Sequence, residues 1–161
     1  MGWPDEGHQR HAGLCLLTAM RALRPFLLTL VLLLAAAGAR ADLVVVMAVS
    51  GGVRELSREA VINIFLGRYR QLPSGQLAKP LDLLPADPLR ERFYRKLVDK
   101  NPAEISAYWT RLIFSGKTSP PEIVASVPEL IKQLNNTPGA IAYLERSQLD
   151  ERLRVVLSLG D

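Results

Sequence analysis

The residues best suited to hold an anion follow a hydrophobic segment. Ser50, Gly51 and Gly52 come directly after the apolar residues 43–49. Glycine amides are not shielded by side chains and serine adds a hydroxyl, so this turn can present several donors to one oxyanion. The alternative is a plain strand-to-helix connection in which the glycines take positive φ values. Both interpretations stay open on the sequence alone.

Arg90 is the fourth residue of the predicted anion site. It lies on the first turn of a helix that we expect to begin at Asp87 and Pro88, near the same edge of the sheet as Ser50. There its guanidinium would meet a bound anion. The alternative is a solvated surface arginine, because Glu91 and Arg92 flank it.

The distribution of cysteine and histidine argues against catalysis. The single cysteine and both histidines, Cys15, His8 and His11, all fall within the first 41 residues. Residues 42–161 therefore have no disulfide, no thiol nucleophile, no histidine base and no Cys/His metal site. Ser50 has no base to activate it, and no Ser-x-x-Lys pair is present. We expect a binding protein without catalytic residues, metal or cofactor.

Charge excludes nucleic acid as an expected partner. The whole chain has 20 Lys and Arg against 16 Asp and Glu, but residues 1–41 contribute four and two of these. Residues 42–161 thus carry a net charge of only +2, with both signs interleaved. No basic run with aromatic residues between the charges is present.

The first 41 residues have the order of a secretory signal peptide. Arg21 and Arg24 precede the apolar residues 26–37, and Ala39, Arg40 and Ala41 form an Ala-x-Ala site. The apolar run is shorter than the roughly 20 residues that span a bilayer. We expect cleavage after Ala41 and a mature domain, residues 42–161, in the periplasm or outside the cell.

Residues 1–19 fit this signal poorly, because acidic residues and histidines precede a weak apolar patch. Translation from Met20 would give a compact signal from residue 20 to residue 41. A cytosolic extension that begins at Met1 is the alternative.

The elements that must position the site follow a β-α-β-α-α-α-β-β order. Residues 43–49 are apolar without alternation, which is typical of a strand buried on both faces in a parallel sheet. We predict an α/β fold, a three-layer sandwich whose mainly parallel or mixed sheet is covered by helices. Later strands are expected at residues 79–84, 140–144 and 153–159.

Helix starts and core residues are also predicted. Ser57, Asp87, Asn101 and Ser126 are N-cap candidates, the last two within capping boxes. Gly67 is expected to end the first helix in a left-handed conformation. Residues 122–125 are predicted as a short turn or helix. Five residues of the third helix are predicted to face the core: Ile105, Tyr108, Trp109, Leu112 and Ile113.

Several of these segments together resemble the phosphate-binding substrate-binding proteins of ABC transporters. Those proteins have a helix ending in Phe-x-Gly, a Trp ahead of a Phe-Ser/Thr-Gly turn, and a Gly-Ala-Ile-Gly-Tyr strand entry. The matching segments here are Phe65 to Gly67, Phe93, Tyr108 and Trp109, Phe114 to Gly116, and Thr137 to Tyr143. The resemblance covers nearly all of residues 42–161 and implies the fold of one lobe of a type 2 periplasmic binding protein.

The resemblance has two departures. Full members of the family are about twice as long and close two lobes on an oxyanion, whereas residues 42–161 have room for one domain of ordinary size. The family's phosphate loop, an Arg followed by Ser-Gly-Thr, falls on Leu84 and on Pro88, Leu89 and Arg90. These positions lack the family's hydroxyl donors.

The function that the resemblance implies is a non-catalytic module that delivers or senses a small oxyanion such as phosphate for a membrane transporter or sensor protein. The alternative is an envelope protein that keeps the fold, has lost the ligand and binds a protein partner through exposed segments such as residues 68–70. A signal peptide fits both functions.

Overall fold

The computed structural model describes residues 42–160 apart from residue 117. The strands are β1 (Leu43–Ala48), β2 (Lys79–Leu83), β3 (Glu122–Val124), β4 (Ala140–Glu145) and β5 (Leu153–Ser158). The helices are α1 (Arg58–Phe65), α2 (Pro88–Val98), α3 (Pro102–Phe114) and α4 (Val127–Asn136). The predicted signal peptide and the choice between Met1 and Met20 lie outside the described residues.

The five strands form one mixed sheet in the order β3-β2-β4-β1-β5. β2 is parallel to β3 and β4, whereas β1 is antiparallel to both of its neighbours, β4 and β5. The α/β prediction is confirmed, and the mixed form of the sheet is the one observed. The expectation that β1 lies within a parallel sheet is wrong.

β1 is nevertheless the central buried strand that its composition predicts. Leu43, Val44, Val45 and Val46 have no exposed surface, and Met47 is also buried. Successive side chains of a strand point to opposite faces, so both faces of the sheet are covered at β1. A continuous apolar run reports burial on two faces and leaves strand direction undetermined.

Three predicted N-caps are confirmed. The Ser57 Oγ accepts from Ala60 N at 3.1 Å, and Asp87 accepts from Leu89 N at 2.8 Å. Asn101 forms the predicted reciprocal capping box with Glu104. Each cap satisfies backbone donors that the first helical turn leaves unpaired. Ser126 also occupies the predicted N-cap position before α4, but its capping box is not formed, since its side chain makes no cap hydrogen bond.

Two further expectations need correction. Residues 122–124, predicted as a turn or helix, form the edge strand β3, which pairs with β2. A strand of three residues carries too little periodicity to be recognised. Ile113, predicted to face the core, is 54% exposed because it lies in the last turn of α3, whereas Trp109 one turn earlier is buried.

An aromatic cluster joins α1, α2 and β4. The Phe93 ring stacks on the Tyr143 ring at 3.9 Å between centroids, and Phe65 packs edge-on against Phe93 at 4.7 Å. All three rings are fully buried. Aromatic pairs in these arrangements contribute more than their buried area alone. Phe65, Phe93 and Tyr143 of the family resemblance therefore lie in the core, whereas Phe114 is 87% exposed.

Two glycines allow close contacts between segments. Gly67 has a φ of 69°, and a Cβ there would lie 2.9 Å from the Trp109 ring. Gly139 has a φ of 77°, and its Cβ would lie 2.1 Å from the Leu77 carbonyl oxygen. A side chain at either position would be strained and would collide with its neighbour. The left-handed end predicted for α1 at Gly67 is confirmed.

Candidate functional site

The strand directions separate the predicted site residues. Met47 of β1 and Pro80 of β2 are both level with Ile141 of β4, so β1 ends where β2 and β4 begin. We call this edge the Ser50 end, since Ser50 follows β1. The opposite edge, where β2 ends, is the Asp82 end.

The expectation that Arg90 lies near Ser50 is wrong. Arg90 contacts Asp82 near the end of β2, whereas Ser50 lies beyond the start of β2. The five residues of β2 separate the two positions by roughly 15 Å at about 3.3 Å per residue. The cause is the antiparallel direction of β1, which places its carboxyl end opposite the carboxyl end of β2.

Ser50 and Gly51 line a cavity of about 340 Å³ at the Ser50 end. We call it the Ser50 cavity. Its other described lining residues are Met47, Ala48, Gln76, Leu134, Asn135, Asn136, Thr137, Pro138, Gly139 and Ala140. The polar groups in this lining are hydroxyls, carboxamides and backbone amides, so the cavity can hydrogen-bond a small polar ligand.

Part of the predicted turn at Ser50, Gly51 and Gly52 uses its backbone groups to hold its own conformation. Val49–Gly51 forms a single 3₁₀ turn, and Gly52 ends it with a φ of 74°. The Gly52 N–H donates to the Val49 carbonyl oxygen at 3.4 Å. Ser50 is exposed, and Gly52 is absent from the described cavity lining. The structure thus brings Ser50 and Gly51 together at a cavity and gives Gly52 a conformational role.

Electrostatics at the Ser50 cavity provide little attraction for an anion. No charged residue belongs to its described lining. The last residues of α4, Asn135 and Asn136, also line it, and a helix carboxyl terminus carries a partial negative charge. The cavity offers donors without a compensating positive charge.

Arg90 is part of a buried network at the Asp82 end. The carboxylate of Asp82, 1% exposed, accepts hydrogen bonds from Arg90 Nε at 2.9 Å and from the Tyr94 hydroxyl at 2.9 Å. Its other oxygen accepts from the Tyr143 hydroxyl at 2.5 Å and from Leu83 N at 2.9 Å. We call Asp82, Arg90, Tyr94 and Tyr143 the Asp82 cluster.

The Asp82 cluster keeps both tyrosines protonated. Burial raises the pKa of Tyr94 well above its ordinary value, and the negative charge of Asp82 raises it further. Burial and the Asp82 carboxylate raise the pKa of Tyr143 in the same way. A hydroxyl held against a carboxylate in a buried site donates its proton and is not a candidate base.

The Asp82 cluster makes Arg90 unavailable as a surface ligand. Arg90 is 5% exposed, and its guanidinium carbon lies 5.0 Å from the centre of the Tyr94 ring. Its Nη1 is buried without a hydrogen-bond partner among the described residues. The interpretation of Arg90 as a solvated surface residue is therefore wrong as well. It forms a buried ion pair that ties α2 to the sheet.

The amino terminus of α2 holds the chain's own carboxylate. Asp87 accepts from Leu89 N, and Pro88 has no N–H to offer. A helix amino terminus attracts anions, but here a side chain of the protein fills that position. Leu84, exposed beside it, offers no side-chain donor to a phosphate.

Sequence reasoning missed Asp82, Tyr94 and Tyr143. The available signal was Asp82 itself, an acidic residue between Leu81 and Leu83 in a strand with a buried carboxyl end. A buried carboxylate needs charged or hydroxyl partners, so Asp82 at that position indicates that such partners lie nearby.

Among the described residues, no group of three or more acidic, Cys or His side chains could hold a metal ion. The described helices include none with the length and hydrophobicity of a membrane span.

Comparisons with known proteins agree with the fold. No family model and no curated protein matches the sequence. The structure is similar to an ABC-type phosphate transport receptor from Vibrio cholerae, with a TM-score of 0.57 and 14% identity over 71% of this chain and 45% of the receptor. It is equally similar, with a TM-score of 0.57 and 12% identity, to a protein from Clostridium perfringens described as a phosphate ABC transporter substrate-binding protein with bound phosphate.

The extent of these matches defines what is shared. The second match covers 71% of this chain and 44% of the Clostridium perfringens protein. This chain thus matches less than half the length of either neighbour. Residues 42–160 form a mixed five-stranded sheet with four helices, and this α/β fold is that of one lobe of the phosphate-binding substrate-binding proteins.

Proposed function

We propose that this chain is an exported, non-catalytic binding module that holds a small oxyanion such as phosphate for a membrane transporter or sensor protein. The observation that carries the proposal is the similarity of its fold to one lobe of two proteins whose descriptions name phosphate transport. The export part of the proposal rests on the signal-like order of residues 1–41.

The proposed anion site is the Ser50 cavity. Ser50 supplies its hydroxyl and Gly51 its backbone amide, while Gly52 sets the turn through its positive φ. Arg90 is left out, because it is buried against Asp82 at the other edge of the sheet. The carboxyl ends of the parallel strands lie at the Asp82 end, so the proposed position rests on the cavity and on the donors that line it.

The affinity of this site for phosphate should be low. Tight capture of an anion needs charge-assisted donors to offset the loss of its hydration shell, and the described lining has no charged residue. The adjacent end of α4 opposes a negative charge. We expect a dissociation constant of about 1 mM or weaker, equivalent to roughly 4 kcal/mol.

Titration calorimetry with inorganic phosphate tests this proposal on the wild type, Ser50→Ala and Ser74→Ala. Ser74 lies in an exposed loop outside the Ser50 cavity and serves as the matched control. We expect weak phosphate binding that Ser50→Ala reduces about threefold or more, equivalent to roughly 0.7 kcal/mol, and that Ser74→Ala leaves unchanged.

Other outcomes would contradict specific parts of the proposal. A micromolar constant that Ser50→Ala abolishes would place a tight receptor at this cavity and refute the low affinity. Binding that is insensitive to Ser50→Ala would place the anion elsewhere. Absence of binding at tens of millimolar phosphate would reject the oxyanion function in favour of a protein-binding role.

A further inference from the structure

A second cavity lies at the Ser50 end of the sheet, where β2 and β3 begin. It has a volume of about 380 Å³ and is lined by the turn after α1, the start of β2 and the loop after α3. We call it the Trp109 cavity. We propose that it binds a small organic anion with an apolar body, of the chemical class of aromatic and short-chain carboxylates. Its volume falls within the range of small-molecule sites.

Trp109 supplies an unused hydrogen-bond donor. The residue lines the cavity and is only 6% exposed, and its indole Nε1 is buried without a partner among the described residues. A buried N–H without an acceptor is unfavourable and uncommon in folded proteins. Nε1 exposes less than 1 Å² of surface, so a ligand in the cavity packs against the indole ring and reaches this donor when the ring shifts slightly.

The charges around the Trp109 cavity favour an anion. Arg70 and Lys79 line it against a single described carboxylate, Glu122, and hydroxyls come from Thr118 and Ser119. Arg70 Nη2 lies 3.3 Å from the Thr118 Oγ1, so the guanidinium is held beside the loop after α3. A planar guanidinium is suited to both oxygens of a carboxylate.

The apolar part of the lining argues for an organic ligand. Tyr69 and Leu77 are 56% and 61% exposed, and both belong to the lining together with the buried Ile64. Exposed apolar side chains that surround a cavity often mark a binding site. Inorganic phosphate would leave this surface uncovered, whereas an aromatic ring or a short alkyl chain would cover it.

The walls of the Trp109 cavity are held in place by close contacts. A Cβ at Gly67 would lie 2.9 Å from both the Trp109 ring and the Thr118 hydroxyl, which shows how tightly these groups approach the turn. The neighbouring Tyr108 hydroxyl donates to the Leu66 carbonyl oxygen at 2.7 Å. A site formed in advance requires less ordering when a ligand binds.

This inference is independent of the Ser50 site. The two cavities have no described lining residue in common. A ligand of the Trp109 cavity should therefore be insensitive to Ser50→Ala, and phosphate binding at Ser50 should be insensitive to changes at Arg70.

Benzoate is the test ligand, with benzamide as its uncharged analogue and acetate as its analogue without a ring. Each is titrated into the full-length ¹⁵N-labelled protein while the Trp109 indole N–H resonance is followed. Trp109→Phe, which keeps an aromatic ring in the cavity, identifies that resonance. We expect a saturable benzoate shift, with benzamide and acetate each binding about tenfold more weakly, since tenfold corresponds to the loss of one charge-assisted or apolar contact.

The variants compare two arginines. Arg70→Gln should weaken benzoate binding about tenfold, whereas Arg111→Gln, an exposed α3 residue outside the cavity, should change it less than twofold. Calorimetry on Trp109→Phe should show about threefold weaker binding than the wild type, because the indole donor is lost.

Several results would overturn the proposal. Equal affinity for benzoate and benzamide would show that the cavity does not require a negative charge. Equal affinity for benzoate, acetate and phosphate would show that it does not require an apolar body. Equal losses in Arg70→Gln and Arg111→Gln would indicate nonspecific charge attraction. A benzoate shift that does not saturate would show that the cavity does not hold this ligand class.

Discussion

The two ends of the sheet differ in where their polar groups find partners. At the Asp82 end, a buried carboxylate receives four hydrogen bonds from Arg90, Tyr94, Tyr143 and Leu83. At the Ser50 end, Ser50, Gly51 and Trp109 line cavities. Apart from the buried Arg90 Nη1, the groups of the Asp82 cluster thus pair with one another, whereas the Ser50 end keeps donors for other molecules.

The Asp82 end is unsuited to a small anion because carboxylates of the chain already lie there. Asp82 and Asp87 place two carboxylates near the amino terminus of α2, and a helix amino terminus otherwise attracts anions. Like charges in one small volume repel strongly when they are desolvated. The chain's own side chains therefore stabilise the Asp82 end at the expense of a ligand there.

Removing the Asp82 charge should have the largest effect on stability. Asp82→Asn should destabilise the domain by about 3 to 5 kcal/mol, because Arg90 would remain buried without its partner. Glu91→Gln on the same helix is the matched control. Its carboxylate pairs with Arg95 at an exposed i,i+4 position, so a loss below about 1 kcal/mol is expected. Urea denaturation measures both, and similar losses would refute a special role for the Asp82 cluster.

Local signals predicted much of the fold. The N-caps at Ser57, Asp87 and Asn101 were readable because each depends on contacts within four residues. The left-handed turn at Gly67 and the burial of Trp109 could be predicted from a local glycine signal and from local helical periodicity. Periodicity, capping and turn chemistry act over short distances along the chain.

The missed features depend on contacts that are distant in sequence. The direction of β1 is set by pairing with β4, about 100 residues later, and an apolar run carries no sign of it. The wrong direction for β1 led to the wrong prediction that Arg90 lies near Ser50. Arg90 pairs with Asp82, and Asp82 in turn accepts from Tyr143, a residue of another strand. Ser50 and Gly51 line one cavity and Arg90 lies at the other end of the sheet, and the anion site itself stays a prediction.

A second test compares glycines of similar φ in different surroundings at the Ser50 end. Gly139 and Gly52 have φ values of 77° and 74°, but only Gly139 lies against a neighbouring backbone. Each change to Ala should cost about 1 to 2 kcal/mol for the left-handed conformation. Gly139→Ala should cost about 1 to 3 kcal/mol more, because its Cβ would collide with the Leu77 carbonyl oxygen. Equal losses in thermal or urea denaturation would show that the Leu77 segment moves aside freely.

Five residues of the family resemblance have a common role in this structure. Phe65, Phe93 and Tyr143 form the aromatic cluster, while Gly67 and Gly139 permit close contacts. These residues specify packing, which is the part that this chain shares with one lobe of its structural neighbours. Ligand contacts can differ while such packing persists, because function depends on the site and not on the fold alone.

The smallest expected effect concerns Tyr143 at high pH. The folded state raises the pKa of this hydroxyl, so unfolded chains lose its proton above pH 10 while folded chains keep it. Stability should therefore be intact below pH 10 and fall as the pH rises further, by about 1.4 kcal/mol per pH unit for one tyrosine. Tyr94 should add a fall of the same sign, because its pKa is also raised.

Urea denaturation measures this fall in the wild type, Tyr143→Phe and Tyr69→Phe. The measurements run from about pH 9.5 to about pH 11, a range that includes the ordinary tyrosine pKa. Tyr143→Phe should be less stable at neutral pH, since Asp82 loses a donor, yet its stability should decline less steeply above pH 10. Tyr69, 56% exposed, provides the control whose slope should match the wild type. An unchanged slope in Tyr143→Phe would mean that this hydroxyl ionises as easily in the folded state as in the unfolded one. The Asp82 end would then be open to solvent, and the contrast between the two ends of the sheet would fail.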